Sequence, residues 1–175
     1  PNFTSLKAAC DALNTNGVAG DVLFEITSDL TENDDIWLGV NTNSYQVTIK
    51  PAAGVTAKIT FTKTSNSSSS GSIDGCFAIG SPTGVNTNLI PTKNIIIDGS
   101  NAVNGTTKDL TLEGPSTSTQ KSVIRIFGDN DNITIKNCII TNNSTSGNST
   151  APINVTNYNA SSTNYTPDNL IIDNN

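Results

Sequence analysis

The chain has 175 residues, a formal net charge of −6 and no His or Met, and Asn, Thr and Ser together supply 69 of its residues. Its eight Lys and single Arg are scattered, so no basic patch is expected to bind nucleic acid. No apolar run approaches the roughly 18 residues that span a bilayer, so no transmembrane segment is predicted. Recurring β-branched residues with few charges favour many short strands over disorder.

The first predicted element is a helix over residues 4–13. Apolar side chains recur there at helical spacing, namely Phe3, Leu6, Ala9, Cys10 and Leu13. Thr4 is the expected N-cap, and Asn16-Gly17 is the expected stop. We expect residues 1–17 to cap a single domain formed by residues 18–175, and the whole to be part of a longer, processed chain.

Strand-like runs separated by Gly, Asn, Ser and Pro turn residues follow the helix. They cover residues 21–27, 45–50, 58–62, 76–79, 94–98, 109–113, 122–127, 132–136, 152–156 and 169–173. The low-complexity stretches 66–71 and 142–150 are predicted loops.

Four of these runs share one template, which is a polar residue, an apolar one, a variable one, an apolar one, a charged one, then Gly or Asn. They begin at Asn94, Asp109, Asn132 and Asn169, with spacings of 15, 23 and 37 residues. Such recurrence predicts an all-β, right-handed parallel β-helix, in which a coil takes about two dozen residues. The longest spacing implies a loop insertion at 142–150 or 157–167, whereas the shortest is too short for a full three-strand coil.

In stacked coils, side chains at the same template position would pack directly on one another. The predicted inward stacks consist of Ile95, Ile97, Ile133, Ile135, Leu170 and Ile172. The closing Gly or Asn suits a left-handed turn, and stacked Asn side chains can form hydrogen bonds between coils. An antiparallel sandwich is the alternative fold, but it does not explain the recurring template.

Four stretches, residues 3–17, 20–32, 45–57 and 94–113, resemble the β-helical segments of large secreted surface proteins of Bacteroidota and related bacteria, which are type IX secretion cargo. The helix Phe3-Thr-Ser-Leu-Lys-Ala-Ala and the run Ile95-Ile-Ile-Asp-Gly-Ser-Asn carry much of the similarity. The resemblance implies a β-helical architecture and export to the cell surface or the extracellular space. It implies no particular activity, because such segments serve as scaffolds in proteins of many roles.

The three cysteines are Cys10, Cys76 and Cys138. Without His or a CxxC motif, no zinc site is expected. A Cys10–Cys76 disulfide is one alternative, and buried free thiols are the other; Cys138 is expected to be a small buried side chain.

No catalytic residue, metal site or cofactor is predicted. The carboxylates near strands are Asp98, Asp109, Glu113, Asp129, Asp131 and Asp173, and a strand-ending Asp ordinarily accepts backbone N–H bonds in a turn. Arg125 is out of phase with its apolar neighbours and is expected on the solvent face. The run 129–132 resembles the start of a calcium loop, but Thr134 and Ile140 replace the turn Gly and the bidentate Glu.

Asn-x-Ser/Thr sequons are frequent. The candidate glycosylation sites in predicted loops are Asn142, Asn143, Asn148, Asn154, Asn159 and Asn164. Thr-x-Thr pairs do not recur at coil spacing, which disfavours an ice-binding face.

These observations favour a non-catalytic extracellular structural protein, either a filament subunit or an adhesin stalk. Copies of itself or adjacent domains are the expected partners through the open β-helix ends, and extracellular glycans are a further candidate class. The alternative is a carbohydrate-active enzyme, such as a polysaccharide lyase or glycoside hydrolase, or a carbohydrate-binding module on the same scaffold. Aromatic residues are only 5% of the chain, which weighs against sugar stacking.

Overall fold

The computed structural model describes residues 1–64, 75–80, 92–116, 122–128, 130–144, 151–156, 158–160, 163–165 and 167–175. Within these residues a single helix, α1 (Leu6–Asn16), precedes the strands. The strands are β1 (Val22–Ile26), β2 (Leu30–Glu32), β3 (Ile36–Leu38), β4 (Val47–Pro51), β5 (Ala57–Phe61), β6 (Gly75–Ile79), β7 (Lys93–Asp98), β8 (Leu110–Glu113), β9 (Ser122–Phe127), β10 (Asp131–Lys136), β11 (Cys138–Thr141), β12 (Ala151–Thr156), β13 (Tyr158–Ala160), β14 (Thr163–Tyr165) and β15 (Ile171–Asp173).

The helix was predicted correctly, but its start was placed too early. Ser5, not Thr4, is the N-cap, because its extended backbone lets its side-chain oxygen accept the Ala8 N–H at 3.1 Å. Gly17 ends the helix as predicted, with φ of 70° and its N–H donated to the Leu13 carbonyl at 2.8 Å.

Three parallel sheets make up most of the molecule. Sheet A has the order β1-β4-β7-β10-β15, sheet B the order β2-β5-β8-β11, and sheet C the order β3-β6-β9-β12. The chain contributes one strand to A, then one to B, then one to C, four times in succession, and then adds β15 to A. We call one passage through the three sheets a circuit. This is an all-β architecture of parallel sheets, consistent with a parallel solenoid. The parallel pairing of the template strands is the opposite of what an antiparallel sandwich requires.

The template strands are not all equivalent. Those beginning at Asn94, Asn132 and Asn169 are β7, β10 and β15, which are neighbours in sheet A. The one beginning at Asp109 is β8 in sheet B, so the spacing of 15 residues measures the passage between two sheets of one circuit. Period-two alternation marks any strand with one buried face and therefore cannot tell one sheet from another.

The 37-residue spacing between the last two template strands contains a strand pair outside the three sheets. Strands β13 and β14 pair antiparallel, and they fall within the predicted insertion at 157–167. Residues 145–150, most of the other candidate insertion, lie outside the described residues.

The predicted inward stacks form in the middle of the molecule but not at its end. Ile95 and Ile97 of β7 pair with Ile133 and Ile135 of β10, and all four are buried as predicted. The prediction was wrong for Ile172, which is 48% exposed although it pairs with Ile135, and Leu170 is only partly buried. The reason is that, among the described residues, no strand pairs with the other edge of β15.

Candidate interaction surface

The outer face of sheet A carries a row of charges whose sign alternates from strand to strand. Glu25 of β1 pairs with Lys50 of β4, and Lys136 of β10 lies between Asp98 of β7 and Asp173 of β15. The Lys136 ammonium contacts Asp98 Oδ2 at 3.2 Å. A cross-strand contact of this kind stabilises the pairing by about 0.2–1 kcal/mol. The Lys50 ammonium instead donates to the Ala102 carbonyl at 3.3 Å.

A first amide ladder runs along the starts of the sheet A strands. Asn94, Asn132 and Asn169 have φ of 56°, 56° and 53°, a left-handed conformation that Asn tolerates. The Asn132 Nδ2 donates to Asn94 Oδ1 at 3.0 Å, and the Asn169 Nδ2 donates to Asn132 Oδ1 at 3.1 Å. Each amide thus ties its circuit to the one before it.

A second amide ladder runs along the ends of the same strands. Asn137 and Asn174 have φ of 58° and 47°, which confirms the left-handed turns predicted for the closing Asn. The Asn137 Nδ2 donates to Asp98 Oδ1, and the Asn174 Nδ2 to Asn137 Oδ1, both at 2.8 Å. Gly99 occupies the corresponding position for another reason, since a Cβ there would lie 1.8 Å from the Asn137 carbonyl oxygen. Its role is close approach rather than a positive φ.

Both ladders have the same direction, because each Nδ2 donates to the side-chain oxygen of the preceding circuit. The ladders therefore finish in acceptors at β15. Among the described residues, neither Asn169 Oδ1 nor Asn174 Oδ1 accepts a hydrogen bond. Asp173 likewise has no ion pair in the described part of the chain, since the Lys136 ammonium contacts Asp98.

Apolar side chains are uncovered at this end. Ile171, on the outer face of β15, and Ile172, on its inner side, are both exposed, and so is Val155 of β12. Val155 pairs with Ile126, which is fully buried one circuit earlier. The end surface of the molecule, hereafter the carboxyl-terminal end, consists of β15 with the side chains of Asn169, Asp173 and Asn174.

The opposite end is covered by α1. Leu6, Cys10 and Leu13 belong to the same buried core as the strands. The Asn14 side chain accepts the Gly39 N–H at 2.9 Å and donates to the Trp37 carbonyl at 2.9 Å, in the way that a neighbouring strand would. It thereby satisfies backbone groups at the free edge of β3.

Glu32 fixes the other end of the helix. Its buried carboxylate accepts the Leu6 N–H, one of the unsatisfied donors of the first helical turn. Burial raises the pKa of Glu32, and the backbone hydrogen bonds from Leu6 and Lys7 lower it by less. The helix is therefore joined to β2 through Glu32 and to β3 through Asn14.

A shallow groove of about 280 Å³ follows the first amide ladder. Its lining residues are Ser44, Gln46, Asn94, Ile96, Asn132, Thr134, Asn169 and Ile171. No aromatic side chain lies among them, and so the groove lacks the flat ring on which sugars stack.

Among the described carboxylates that were named from the sequence, Asp98, Glu113 and Asp173 are each next to a Lys rather than to one another. Lys136 separates Asp98 from Asp173, and Glu113 contacts the Lys58 ammonium at 3.1 Å. The Thr107 hydroxyl and the Asn101 N–H donate to Asp109 and lower its pKa. Within the described residues, no group of three or more His, Cys, Asp or Glu side chains could hold a metal ion.

Residues 129–132 are divided between two structural roles. Asp131 contacts the Lys93 ammonium, and Asn132 belongs to the first amide ladder. Asp129 lies outside the described residues. Arg125 alternates with the buried Ile124 and Ile126 and pairs with Ala78 and Asn154 in sheet C. It is partly buried rather than fully exposed on a solvent face.

The candidate glycosylation sites differ in accessibility. The Asn142 Nδ2 donates to the Ala151 carbonyl at 3.2 Å and the Asn143 Nδ2 to the Gly114 carbonyl at 3.1 Å, so both amides are engaged and partly buried. Asn154 lies in β12 rather than in a loop and is partly buried. Asn159 and Asn164 occupy paired backbone positions of β13 and β14, and Asn148 lies outside the described residues.

All three cysteines are buried free thiols. The Cys10–Cys76 disulfide considered from the sequence is not formed in this structure. Burial raises the pKa of Cys76 and of Cys138 to about 12, and it raises the pKa of Cys10 as well. The thiols are therefore protonated at neutral pH and are poor nucleophiles.

The roles of Glu32, Asn14 and the strand-starting Asn residues were not predicted from the sequence. The recurrence of Asn at the first template position in β7, β10 and β15 is the pattern that could have revealed the first ladder. Nothing local distinguishes Glu32 or Asn14 from other polar residues, since their roles depend on where α1 packs.

Comparison with protein-family models, with curated proteins and with solved structures found no match to this chain. In the part of the chain that the structure describes, no helix has both the length and the apolar character to cross a membrane.

Proposed function

We propose that this chain is a non-catalytic extracellular structural protein, a right-handed parallel β-helix that forms part of a cell-surface or fibre-like assembly. The observation that carries the proposal is the constant order in which the chain visits sheets A, B and C, with strands in register from circuit to circuit. Each circuit would be one coil of the β-helix, and the stack would transmit load or provide length.

The amide ladders support a structural role. They place directional hydrogen bonds along both borders of sheet A, from β7 to β15, outside the buried apolar stacks. Polar side chains therefore tie the circuits together in addition to the backbone ladder. The resemblance to type IX cargo of Bacteroidota and relatives supports export to the cell surface as part of the proposal.

Residues 1–17 would act as the cap of this β-helix. The support is that α1 buries its apolar stripe on the core, that Asn14 of α1 bonds to the first circuit, and that Glu32 of the first circuit accepts the Leu6 N–H of α1. Solenoids expose backbone groups and apolar stacks at their ends, and a helix is a common way to cover them.

The proposal is tested on the natural full-length protein in its source organism. Antibodies to residues 1–175 should label intact cells, and external protease should remove that label without cell lysis. Purified protein should release no new sugar ends from neutral or acidic polysaccharides, and electron microscopy should show rods or fibres. Labelling only after lysis would contradict the surface location, and polysaccharide cleavage would favour the enzyme alternative.

A further inference from the structure

The sequence contains two Asn-Gly pairs, Asn16-Gly17 and Asn104-Gly105. Asn is a chemically labile residue, because the backbone nitrogen of the next residue can attack its side-chain carbonyl carbon. Gly has no Cβ and therefore hinders this attack least. The structure decides which of the two pairs is open to the reaction.

The Asn16-Gly17 pair is held at the end of α1 by two hydrogen bonds. The Asn16 Nδ2 donates to the Ala12 carbonyl at 2.8 Å, and the Gly17 N–H donates to the Leu13 carbonyl at 2.8 Å. Both the leaving amide and the attacking nitrogen are thus engaged. Although Asn16 is exposed, the helix end has to open before its side chain can react.

The Asn104-Gly105 pair lies at the tip of the loop between β7 and β8. Ala102, Val103 and Asn104 are exposed there, and Val103 is 87% exposed. Within the part of the chain that the structure describes, the Asn104 side chain makes no hydrogen bond. The Gly105 N–H donates to the Ala102 carbonyl at 3.3 Å, a long bond across a single turn. Less therefore restrains this pair than restrains Asn16-Gly17.

The shape of the loop accounts for both residues of the exposed pair. A Cβ at position 105 would lie 2.3 Å from Ser100 Oγ, and Ser100 is buried with its hydroxyl 3.0 Å from that of Thr107. Only Gly fits at this position. Asn104 has φ of 55°, a left-handed conformation that Asn tolerates better than most residues. The turn thus favours the two residues that form the labile pair.

The same loop is bonded to the second amide ladder. The Gly105 carbonyl accepts the Asn137 Nδ2 at 3.2 Å, and the Thr106 carbonyl accepts the Asn174 Nδ2 at 3.0 Å. A covalent change at Asn104 alters the backbone directly before these two acceptors. It would therefore affect the hydrogen bonds along the border of sheet A.

We propose that Asn104 is a site of spontaneous covalent modification, at which the side chain is converted to a carboxylate. The Gly105 nitrogen forms a bond to Asn104 Cγ, the bond from Cγ to Nδ2 breaks, and the Gly105 amide proton leaves with Nδ2 as ammonia. Water then opens the resulting succinimide ring at one of its two carbonyls. The products are aspartate and isoaspartate, in which the backbone runs through the side chain and is one carbon longer. Water is the sole co-reactant, so the inference does not rest on the proposed function.

The test follows the two pairs in one protein. The 175-residue protein is incubated at mildly alkaline pH, either native or unfolded in urea, and is then digested with trypsin. The peptide 94–108 carries Asn104, and the peptide 8–58 carries Asn16. Fragmentation mass spectrometry locates the exchange of amide for acid, and an isoaspartate-specific methyltransferase detects the rearranged backbone.

In the native protein Asn104 should be converted about ten-fold faster than Asn16, because Asn16-Gly17 must first break two hydrogen bonds. In urea the two rates should become similar. As the wild-type protein ages, the side-chain amide signals of Asn137 and Asn174 in nuclear magnetic resonance spectra should shift.

Asn104→Gly is the matched control, because Gly keeps the left-handed turn and removes the reacting side chain. Asn104→Gln is a second control, because its longer side chain would have to close a larger ring. Neither variant should be modified at position 104, and both should keep the amide signals of Asn137 and Asn174 unchanged with time.

Two outcomes would overturn the inference, namely equal native rates at Asn104 and Asn16 and a product at Asn104 that forms in urea alone. Amide signals that move equally in the two control variants would overturn the link to the second ladder. None of these results bears on cell-surface labelling or polysaccharide cleavage, so a failure here is distinct from a failure of the proposed function.

Discussion

At the amino-terminal end of the sheets Ile36 and Leu38 are 1% and 0% exposed, whereas at the carboxyl-terminal end Val155 and Ile172 are 41% and 48% exposed. The strands at both ends follow the same alternation, so the difference does not come from the strands themselves. It comes from α1, which brings Leu6, Cys10, Leu13 and Asn14 onto the first circuit. Inward side chains at an end of the stack are therefore buried only where another element, here α1, packs on that end.

The largest expected contrast is between the same side chain in the middle of the stack and at its open end. Ile135→Ala should lower the free energy of unfolding by about 2–5 kcal/mol, because it leaves a cavity in a closed core. Ile172→Ala, at the position paired with Ile135, should cost less than about 1 kcal/mol because roughly half of that side chain already contacts water. Urea unfolding of both variants measures the difference; equal losses would mean that β15 is covered in solution.

The contribution of the helix to the closed end can be isolated at Asn14. The Asn14→Ala variant lacks the side chain that bonds to both the Trp37 carbonyl and the Gly39 N–H. It should lower the free energy of unfolding by about 1–2 kcal/mol. Asn16→Ala is the matched control on the same helix, because its side chain bonds only to the Ala12 carbonyl at the exposed surface. Chemical denaturation that ranks the two variants equally would contradict the idea that Asn14 takes the place of a strand.

The closed end should also respond to pH through Glu32. Because the folded pKa of Glu32 is raised above its ordinary value of 4.5, the folded state holds this proton more tightly than the unfolded state. Its contribution to stability is therefore complete below pH 4.5 and is lost as the pH rises through the folded pKa. In wild type, the free energy of unfolding should therefore fall as the pH rises from about 4 through the folded pKa of Glu32. In E32Q, where the Gln side chain can still accept the Leu6 N–H, this fall should be absent. A pH profile that is the same in both proteins would contradict a raised pKa for Glu32.

The smallest effect is expected at Asp109, in the turn before β8, between the two ends. Hydrogen bonds from Thr107 and Asn101 lower the pKa of Asp109, so its contribution has the opposite sign to that of Glu32. It is present above the unfolded pKa and lost as the pH falls through the folded pKa. D109N should flatten the acid side of the stability profile slightly and leave the Glu32 region unchanged, whereas a change in that region would show that the two groups are coupled.

The sequence by itself determined the local features of this protein. Helical spacing with Gly17 gave the helix and its end, alternation gave the strands and the buried Ile95, Ile97, Ile133 and Ile135, and the closing Asn gave left-handed turns at Asn137 and Asn174. These depend on backbone preferences and on one-sided burial, which are properties of a few neighbouring residues.

Only the tertiary structure decided which strands are neighbours and which ends are covered. The strand after Asp109 lies in sheet B. Glu32 bonds to Leu6, 26 residues away, and Asn14 bonds to Gly39, 25 residues away. Ile172 is exposed although its sequence context matches that of Ile135. The physical reason is that burial and pairing belong to the circuit stacked above or below a strand. Side chains in identical local patterns are therefore buried in the middle of the stack and exposed at its end.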